Sequence, residues 1–266
     1  MNAPAHTTKE VPLLLYTLPC GVQVDITQDC ASPDSTGRTI WLGAQILSVY
    51  LHDALGRPSS SNGRRRRAIE LGSGTGLLSL ALASQGYDIL ATDVDMIVDG
   101  VLQQNVEANG EVIKRAGGGK VEAKVLDWFQ PPGKWSWRRP GDTQEAGDPP
   151  LEPPFDLIVT ADTVYEPSLS QPLLQTLHGL ASLSPSAPIY LALESRDPSL
   201  VASFLSSALS DWNLKPTRVG HDRIRRLVER KEGTLGWEDE EVWEGVEVWK
   251  LKLGREKKAR AKGGLP

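Results

Sequence analysis

The chain has few residues of the types that build disulfide frameworks and metal sites. It has two cysteines, Cys20 and Cys30, in 266 residues, and neither belongs to a CxxC pair. We therefore expect no disulfide framework and no zinc site. The four histidines, at positions 6, 52, 178 and 221, are not spaced as a metal site or a catalytic dyad, so we expect no bound metal.

Long apolar runs and an excess of positive charge are also missing. Polar residues interrupt every apolar stretch well before the length of a membrane span, and the first residues, MNAPAHTTKEVP, lack the pattern of a signal peptide. These features predict a soluble, cytoplasmic protein. The net charge of −5 does not favour nucleic acid as a partner. We interpret the RRRR run at 64–67 and the basic tail as solvated charge, and we expect a monomer.

The composition divides the chain into a core and its attachments. Residues 1–38 are predicted to be an N-terminal extension, frayed over 1–10, with strands at 13–16 and 22–26 forming a β-hairpin. Residues 39–253 are predicted to be one domain, followed by a disordered basic tail at 254–266. Within that domain, residues 130–154 contain seven prolines and are predicted to be an exposed insertion rather than core.

Helical and strand patterns alternate along the predicted domain. The predicted strands are 68–71, 87–92, 121–126, 155–160, 189–193 and 241–253. The predicted helices are 39–55, 77–84, 98–109, with Gly110 as its candidate end, 169–183 and 200–209. This alternation predicts a doubly wound α/β fold, with a mostly parallel sheet and helices on both faces.

A glycine-rich turn, Glu70-Leu71-Gly72-Ser73-Gly74-Thr75-Gly76, stands between the first of these strands and a helix. Its three alternating glycines allow a sharp turn and the close approach of a ligand. The bulky Leu77 takes the third small position of a dinucleotide fingerprint, and the Glu70 carboxylate would repel a pyrophosphate. The turn therefore favours S-adenosylmethionine, which has no phosphates. The alternatives are a simple tight turn and, for Glu70, a strand-end residue held by nearby amides.

Acidic residues follow the next two strands. Asp93 ends the second strand, where a carboxylate can accept hydrogen bonds from a ribose diol; it could instead cap the next helix, although Asp95 could also do so. After the third strand, Asp127 could meet the adenine amino group, and the Trp128 indole could cover the adenine ring. Trp128 could equally be a core residue.

Several of these motifs resemble one family of enzymes. ELGSGTGLLSLALA, ILATDVD, NVEAN, LDW and FDLIVTADTVYEP are similar to the seven-stranded methyltransferases of family 16, which methylate protein lysines. The segment Asp162-Thr163-Val164-Tyr165 matches the DxxY motif of the family, and Trp41 matches a tryptophan that lines the cofactor site. The layout most resembles the fungal enzymes that methylate elongation factor 1-alpha.

This resemblance implies a Rossmann-like methyltransferase fold of seven strands, with an antiparallel last strand that we place within 243–253. It implies S-adenosylmethionine as cofactor and a protein substrate, with elongation factor 1-alpha as the candidate. We expect Asp162 to bind the substrate ammonium and Tyr165 to position it, at the carboxyl end of a parallel strand. Asp162 could instead cap a helix, and Tyr165 could pack against the insertion. Glu194 could line the same pocket or pair with Arg196.

Two other functions stay open at this point. The first is a methyltransferase that acts on RNA or a small molecule, although the sequence ADTVY lacks the prolines of the NPPY-like motif found in base-directed enzymes. The second is a binding module that keeps the fold without chemistry. The intact glycine turn, Asp93 and the DxxY segment argue against that module.

Overall fold

The structure of the chain, a computed structural model, describes residues 1–31, 36–57, 64–137 and 150–254. Three predicted segments therefore lie partly outside the described residues. These are the N-terminal extension at 32–35, the predicted insertion at 138–149 and the basic tail from residue 255.

A seven-stranded sheet forms the centre of the described chain, in the order β5-β4-β3-β6-β7-β9-β8. Its strands are β3 (Arg67–Leu71), β4 (Asp88–Asp93), β5 (Val121–Val125), β6 (Leu157–Ala161), β7 (Ile189–Glu194), β8 (Leu214–Arg218) and β9 (Val246–Leu253). A separate antiparallel hairpin consists of β1 (Leu13–Thr17) and β2 (Gln23–Thr27). The helices are α1 (Leu42–Leu55), α2 (Leu77–Ser84), α3 (Asp95–Ile97), α4 (Gln103–Arg115), α5 (Pro167–Leu183), α6 (Pro198–Ser210) and α7 (His221–Val228).

The strand directions place the functional residues on one edge of the sheet. Strands β3 to β7 are parallel, whereas β9 runs antiparallel to both β7 and β8. The doubly wound fold and the antiparallel last strand are therefore confirmed. Because parallel strands end on the same side, Leu71, Asp93, Val125, Ala161 and Glu194 all end their strands at one crevice, where such sheets bind ligands.

Two apolar clusters cover the two faces of the sheet. One cluster includes Ile46, Leu80 and Ile224 from α1, α2 and α7, and also residues of the hairpin. The other includes Leu173 and Phe204 from α5 and α6. Strand β6 is buried along its whole length, which is why its sequence LIVTA is apolar at almost every position instead of alternating.

The structure corrects the prediction that residues 1–10 are frayed. Asn2 exchanges two hydrogen bonds with Thr17, one from its amide to the Thr17 carbonyl and one from the Thr17 N–H to its own oxygen, at 2.8 and 2.9 Å. The Ala5 N–H donates to Gln45 Oε1 at 2.8 Å, and the Ala5 side chain is buried. Polar composition predicts solvation, but here the polar side chains bond the backbone of this segment to the core.

The predicted insertion is also packed at both of its described ends. Leu151 is buried, and Trp135 and Trp137 pack against the apolar cluster under α5. The Trp137 ring meets Phe155 edge to face, with centroids 5.9 Å apart. The expectation of a wholly exposed segment is therefore wrong for these residues, because their large apolar side chains pack into the core.

Two boundaries, one strand and one helix also differ from the predictions. Helix α4 continues through Gly110 to Arg115, and it is preceded by one π-helical turn at Val98–Leu102. Strand β8 and helix α7 were not predicted, and β9 begins at Val246 rather than at 241. No helix among the described residues has both the length and the apolar character needed to cross a membrane.

Candidate active site

A cavity of about 600 Å³ lies at the crevice where the parallel strands end. Nine of the ten predicted site residues line it: Trp41, Glu70, Gly72, Gly74, Asp93, Asp127, Trp128, Asp162 and Tyr165. Gly76 is the exception. It lies at the start of α2 with φ of 83°, and an added Cβ would lie 2.8 Å from Leu102, so its role is to start the helix rather than to form the wall.

The glycine turn is held against strand β4 by hydrogen bonds. The Ser73 N–H donates to the Thr92 carbonyl at 2.9 Å, and the Thr92 N–H donates to Ser73 Oγ at 3.0 Å. Gly74 has φ of 53°, and an added Cβ would lie 2.8 Å from the Gly37 carbonyl oxygen. Only glycine can therefore hold this position without displacing the backbone that faces it.

Glu70 is a buried carboxylate under the turn, with 2% of its surface exposed. The Ser79 hydroxyl donates a short hydrogen bond to its Oε2. Burial raises the pKa of Glu70 from 4.5 to about 8, against the lowering effect of hydrogen bonds from Ser79 and Ser73. The alternative of nearby amides therefore holds in part, because the Ser79 backbone bonds the carboxyl group together with the two serine hydroxyls. Glu70 also lines the cavity.

Asp93 is tied to the glycine turn. Its Oδ2 accepts from the Gly74 N–H and its Oδ1 from the Val94 N–H, both at 2.8 Å. Helix α3 has no side-chain cap: Val94 is its N-cap, and Asp95 lies inside its first turn. Burial raises the pKa of Asp93, whereas the two N–H groups lower it. A carboxylate with lone pairs left over therefore faces the cavity beside the turn.

Trp128 is both a core residue and part of the cavity wall. Its ring packs against the apolar cluster under α5 and also lines the cavity, where an added Cβ on Gly72 would lie 3.4 Å from the ring. Its buried Nε1 has no hydrogen-bond partner among the described residues. Asp127 Oδ1 accepts from the Phe129 N–H at 2.9 Å.

Asp162 lies just after β6 in the left-handed region, with φ of 57°. Its Oδ2 accepts from the Ala44 N–H, in the first turn of α1, at 3.1 Å. Its Oδ1 is buried and has no hydrogen-bond partner in the described part of the chain. Burial, the largest cause, and the nearby Glu194 charge raise the pKa of Asp162 to about 7, whereas the N–H groups of α1 and Arg196 lower it.

The suggested capping role of Asp162 is therefore present, but for α1 and not for the helix that follows it, which Glu166 caps. Gly43 makes this contact possible, because an added Cβ there would lie 2.5 Å from both carboxylate oxygens of Asp162. The sequence pattern does not single out Gly43. The residue lies in a helix, where glycine normally weakens the structure, and only the position of Asp162 explains it.

Tyr165 is 52% exposed at the mouth of the cavity. Burial of part of the ring, followed by the charges of Asp93 and Glu166, raises its pKa. Glu194 both lines the cavity and pairs with Arg196, at 2.5 Å, so the two alternatives for this residue hold together. Among the described residues, no group of three or more His, Cys, Asp and Glu side chains could hold a metal ion.

The sequence model of a family described as lysine methyltransferases matches residues 21–210. This chain belongs to that lysine methyltransferase family. The matched segment contains every site residue described above, from Trp41 to Arg196.

Individual members of the lysine methyltransferase family are similar to parts of the chain. Protein-lysine N-methyltransferase rrg1 of Schizosaccharomyces pombe is 32% identical over 57% of this chain and 45% of its own length. EEF1A lysine methyltransferase 3 of Mus musculus is 30% identical over 66% of this chain and 64% of its own length. Protein N-lysine methyltransferase METTL21A of Mus musculus is 33% identical over 54% of this chain and 55% of its own length. The chain thus aligns with about half the length of these curated relatives.

S-adenosylmethionine is the cofactor, and the residues that line the cavity fit it. The cavity wall contains three buried polar atoms that lack partners within the described ranges: Asp162 Oδ1, Trp128 Nε1 and Thr39 Oγ1. Buried polar atoms are normally satisfied, so these point to a ligand with its own donors and acceptors. The acidic side chains Glu70 and Asp93 suit a ligand that has a positive charge and a ribose diol.

Proposed function

We propose that the chain transfers a methyl group from S-adenosylmethionine to a lysine side chain of another protein, and that elongation factor 1-alpha is the substrate. One observation carries the proposal of lysine as the acceptor. In a chain of the lysine methyltransferase family, Asp162 lines the cofactor cavity, and its buried Oδ1 has no hydrogen-bond partner among the residues that the structure describes. The choice of elongation factor 1-alpha is supported by the similarity to mouse EEF1A lysine methyltransferase 3.

The walls of the cavity suit the separate parts of the cofactor. Asp93 would accept hydrogen bonds from the ribose diol, and Glu70 would face the methionyl ammonium across the glycine turn. Asp127 and Trp128 would meet the adenine amino group and ring. When it is bound, S-adenosylmethionine supplies a methyl group on a positively charged sulfur. The residues of the chain then have to place the acceptor in line with that methyl group.

The acceptor must be a neutral amine, although a free lysine has a pKa of about 10.4 and arrives protonated. The Asp162 carboxylate would bind the ammonium through Oδ1 and hold the nitrogen at the cavity wall. Loss of a proton to water leaves a lone pair that Asp162 and the Tyr165 hydroxyl orient. Alignment alone can account for a large part of the rate of methyl transfer, because an amine that is already positioned reacts within the complex and needs no further encounter. The new N–C bond forms as the C–S bond breaks, and S-adenosylhomocysteine leaves.

This proposal is tested by incubating the chain with S-adenosylmethionine that is labelled in its methyl group. The acceptor is purified elongation factor 1-alpha in one reaction and total cell extract in another. We expect label on a lysine of elongation factor 1-alpha, identified by mass spectrometry of its peptides, and no label with Asp162→Ala. Label on a lysine of a different protein would exclude elongation factor 1-alpha as the substrate but would still support methyl transfer to lysine. Label confined to RNA or small molecules, or no binding of S-adenosylmethionine by calorimetry, would contradict the proposed activity.

A further inference from the structure

A second cavity, of about 440 Å³, borders the cofactor cavity. The two cavities have Trp41, Glu194 and Arg196 in common. Asp162 and Ala44 line only the cofactor cavity, whereas Lys9, Asp239 and Glu241 line only the second one. A path from the second cavity to Asp162 therefore passes the three shared residues.

These shared residues form a site of the kind that holds an organic cation. The Arg196 guanidinium pairs with Glu194 at 2.5 Å and lies over the Trp41 ring, with its central carbon 4.8 Å from the ring centroid. The Lys9 ammonium lies 4.0 Å from the centroid of the same ring. An aromatic face and a carboxylate are the groups that bind an ammonium on an alkyl stem. In this structure, the side chains of the protein itself supply the cations.

The guanidinium of Arg196 is easily exchanged for another cation. Arg196 lies in the short loop between β7 and α6, and its side chain is 56% exposed, against 27% for Glu194. A half-exposed ion pair of this kind adds little stability, so an incoming ammonium can replace the guanidinium at little cost. One cation pairs with the Glu194 carboxylate before the exchange and another pairs with it afterwards, so this carboxylate keeps a partner throughout.

We propose that the substrate lysine reaches the cofactor cavity through the second cavity, with its stem along Trp41, and that its ammonium replaces Arg196 at Glu194 before it reaches Asp162. Glu194 is then a positioning residue for the lysine, and Arg196 is a resident cation that holds the site until the lysine arrives. This inference rests on the proposed transfer to lysine. It adds to that function the route of the lysine and the roles of Glu194 and Arg196.

The acidic mouth of the second cavity suits the same cation. Asp239 and Glu241 line it and are exposed, and neither forms an ion pair within the described residues. The segment that carries Lys9 is held in place, because the Gln28 side-chain amide donates to the carbonyls of Thr8 and Val11 at 2.8 Å. The Lys9 backbone is thus anchored between two bonded residues.

Binding of n-butylammonium, which is a lysine side chain without its backbone, tests the route on the full chain saturated with S-adenosylhomocysteine. The readout is the indole N–H resonance of Trp41, assigned by its loss in Trp41→Phe. We expect Arg196→Gln to bind n-butylammonium about tenfold more tightly than the wild type, and Glu194→Gln about tenfold more weakly, a change of about 1.4 kcal/mol in each direction. Neutral n-butanol should bind both variants as it binds the wild type.

Arg218→Gln is the matched control. Arg218 pairs with Glu247 at 2.8 Å and is 51% exposed, but it lines neither cavity, so its replacement should leave n-butylammonium binding unchanged. Equal binding of n-butylammonium in the wild type, Arg196→Gln and Glu194→Gln, including no binding in all three, overturns the route. In that case methyl transfer to a protein lysine would still support the proposed function. The expected binding pattern without any transfer to protein would instead contradict the function.

Discussion

The Asp162 carboxylate and the Ala44 N–H join the end of strand β6 to the first turn of helix α1, with Oδ2 and the nitrogen 3.1 Å apart. This hydrogen bond uses Oδ2 for structure, whereas Oδ1 has no hydrogen-bond partner in the part of the chain that the structure describes. The backbone of Asp162 is left-handed, which costs a residue with a side chain about 1–2 kcal/mol. Strain of this kind persists where the surrounding structure holds it, as at functional sites.

Gly43→Ala should separate the position of Asp162 from the rest of the fold. An added Cβ would lie 2.5 Å from both Asp162 oxygens, so the carboxylate must move. We expect methyl transfer to fall by about 10²-fold, the scale on which misplacement acts, while cofactor affinity changes little. Gly110→Ala is the control, because nothing lies within 4 Å of its added Cβ. In helix α4 it should stabilise the fold by about 0.5–1 kcal/mol and leave transfer intact. Full activity in Gly43→Ala would contradict the role of this contact.

Asp93→Ala should weaken the binding of S-adenosylmethionine. Loss of charge-assisted hydrogen bonds to a ribose diol costs about 1.5–3 kcal/mol, which is roughly tenfold or more in dissociation constant. The neighbouring Asp95 is exposed and does not line the cavity, so Asp95→Ala should bind normally. Isothermal calorimetry with S-adenosylmethionine measures the dissociation constants of both variants. If a folded Asp93→Ala variant keeps wild-type affinity, Asp93 does not contact the cofactor.

Glu70→Gln should change how stability depends on pH. The pKa of Glu70 rises from 4.5 to about 8 on folding, so the folded chain holds a proton that the unfolded chain releases. The wild type without ligand therefore loses stability as the pH increases from about 4.5 to about 8. The glutamine variant lacks this loss, and its melting temperature should exceed that of the wild type at pH 8, by about 2–4 °C for each kcal/mol. The difference should shrink towards pH 5, and a pH-independent difference would refute this explanation.

Tyr165→Phe removes one hydroxyl from a half-exposed ring. We expect cofactor affinity close to that of the wild type and slower methyl transfer, with a smaller loss than for Asp162 if packing of the ring supplies part of the alignment. Single-turnover transfer and calorimetry on the same preparation measure both quantities. The charge of Asp93 contributes to the raised pKa of Tyr165, so the Tyr165 hydroxyl is near enough to the predicted ribose site to be sensitive to it. A large loss of cofactor affinity would assign Tyr165 to the ribose side of the cavity.

The parts of the fold that the sequence predicts best are those where one local pattern has one physical cause. The apolar run of β6 indicates a strand buried on both faces, and the glycine turn indicates a close backbone approach. Strand β8 gives no such signal. It lies at the edge of the sheet, contains Pro216, and has mostly exposed or half-buried side chains. Its pairing with β9 depends on a neighbour far along the chain.

The site shows the same limit of local patterns. The positions of Asp93, Asp162 and Trp128 in the cavity wall could be predicted, because each lies at or just after the crevice end of a strand. The contact of Gly43 with Asp162, and those of Arg196 and Lys9 with the Trp41 ring, could not be predicted, because each joins residues that are distant in sequence. The polar composition of residues 1–10 predicts fraying, whereas hydrogen bonds with distant residues such as Gln28, Gln45 and Trp237 hold this segment in place.

Asp162→Asn tests the central claim most directly, because the amide keeps an acceptor for the Ala44 N–H and removes only the charge. Cofactor affinity and single-turnover transfer are measured on one preparation from pH 6 to 9. The pKa of Asp162 is about 7, and only the ionised carboxylate attracts an ammonium. The KM of the wild type for its protein substrate should therefore fall as the pH rises through about 7. We expect the variant to bind S-adenosylmethionine normally, to transfer methyl groups about 10²-fold more slowly, and to lose this pH dependence of KM. Transfer at the wild-type rate with the same pH dependence would contradict the assignment of Asp162 to the lysine.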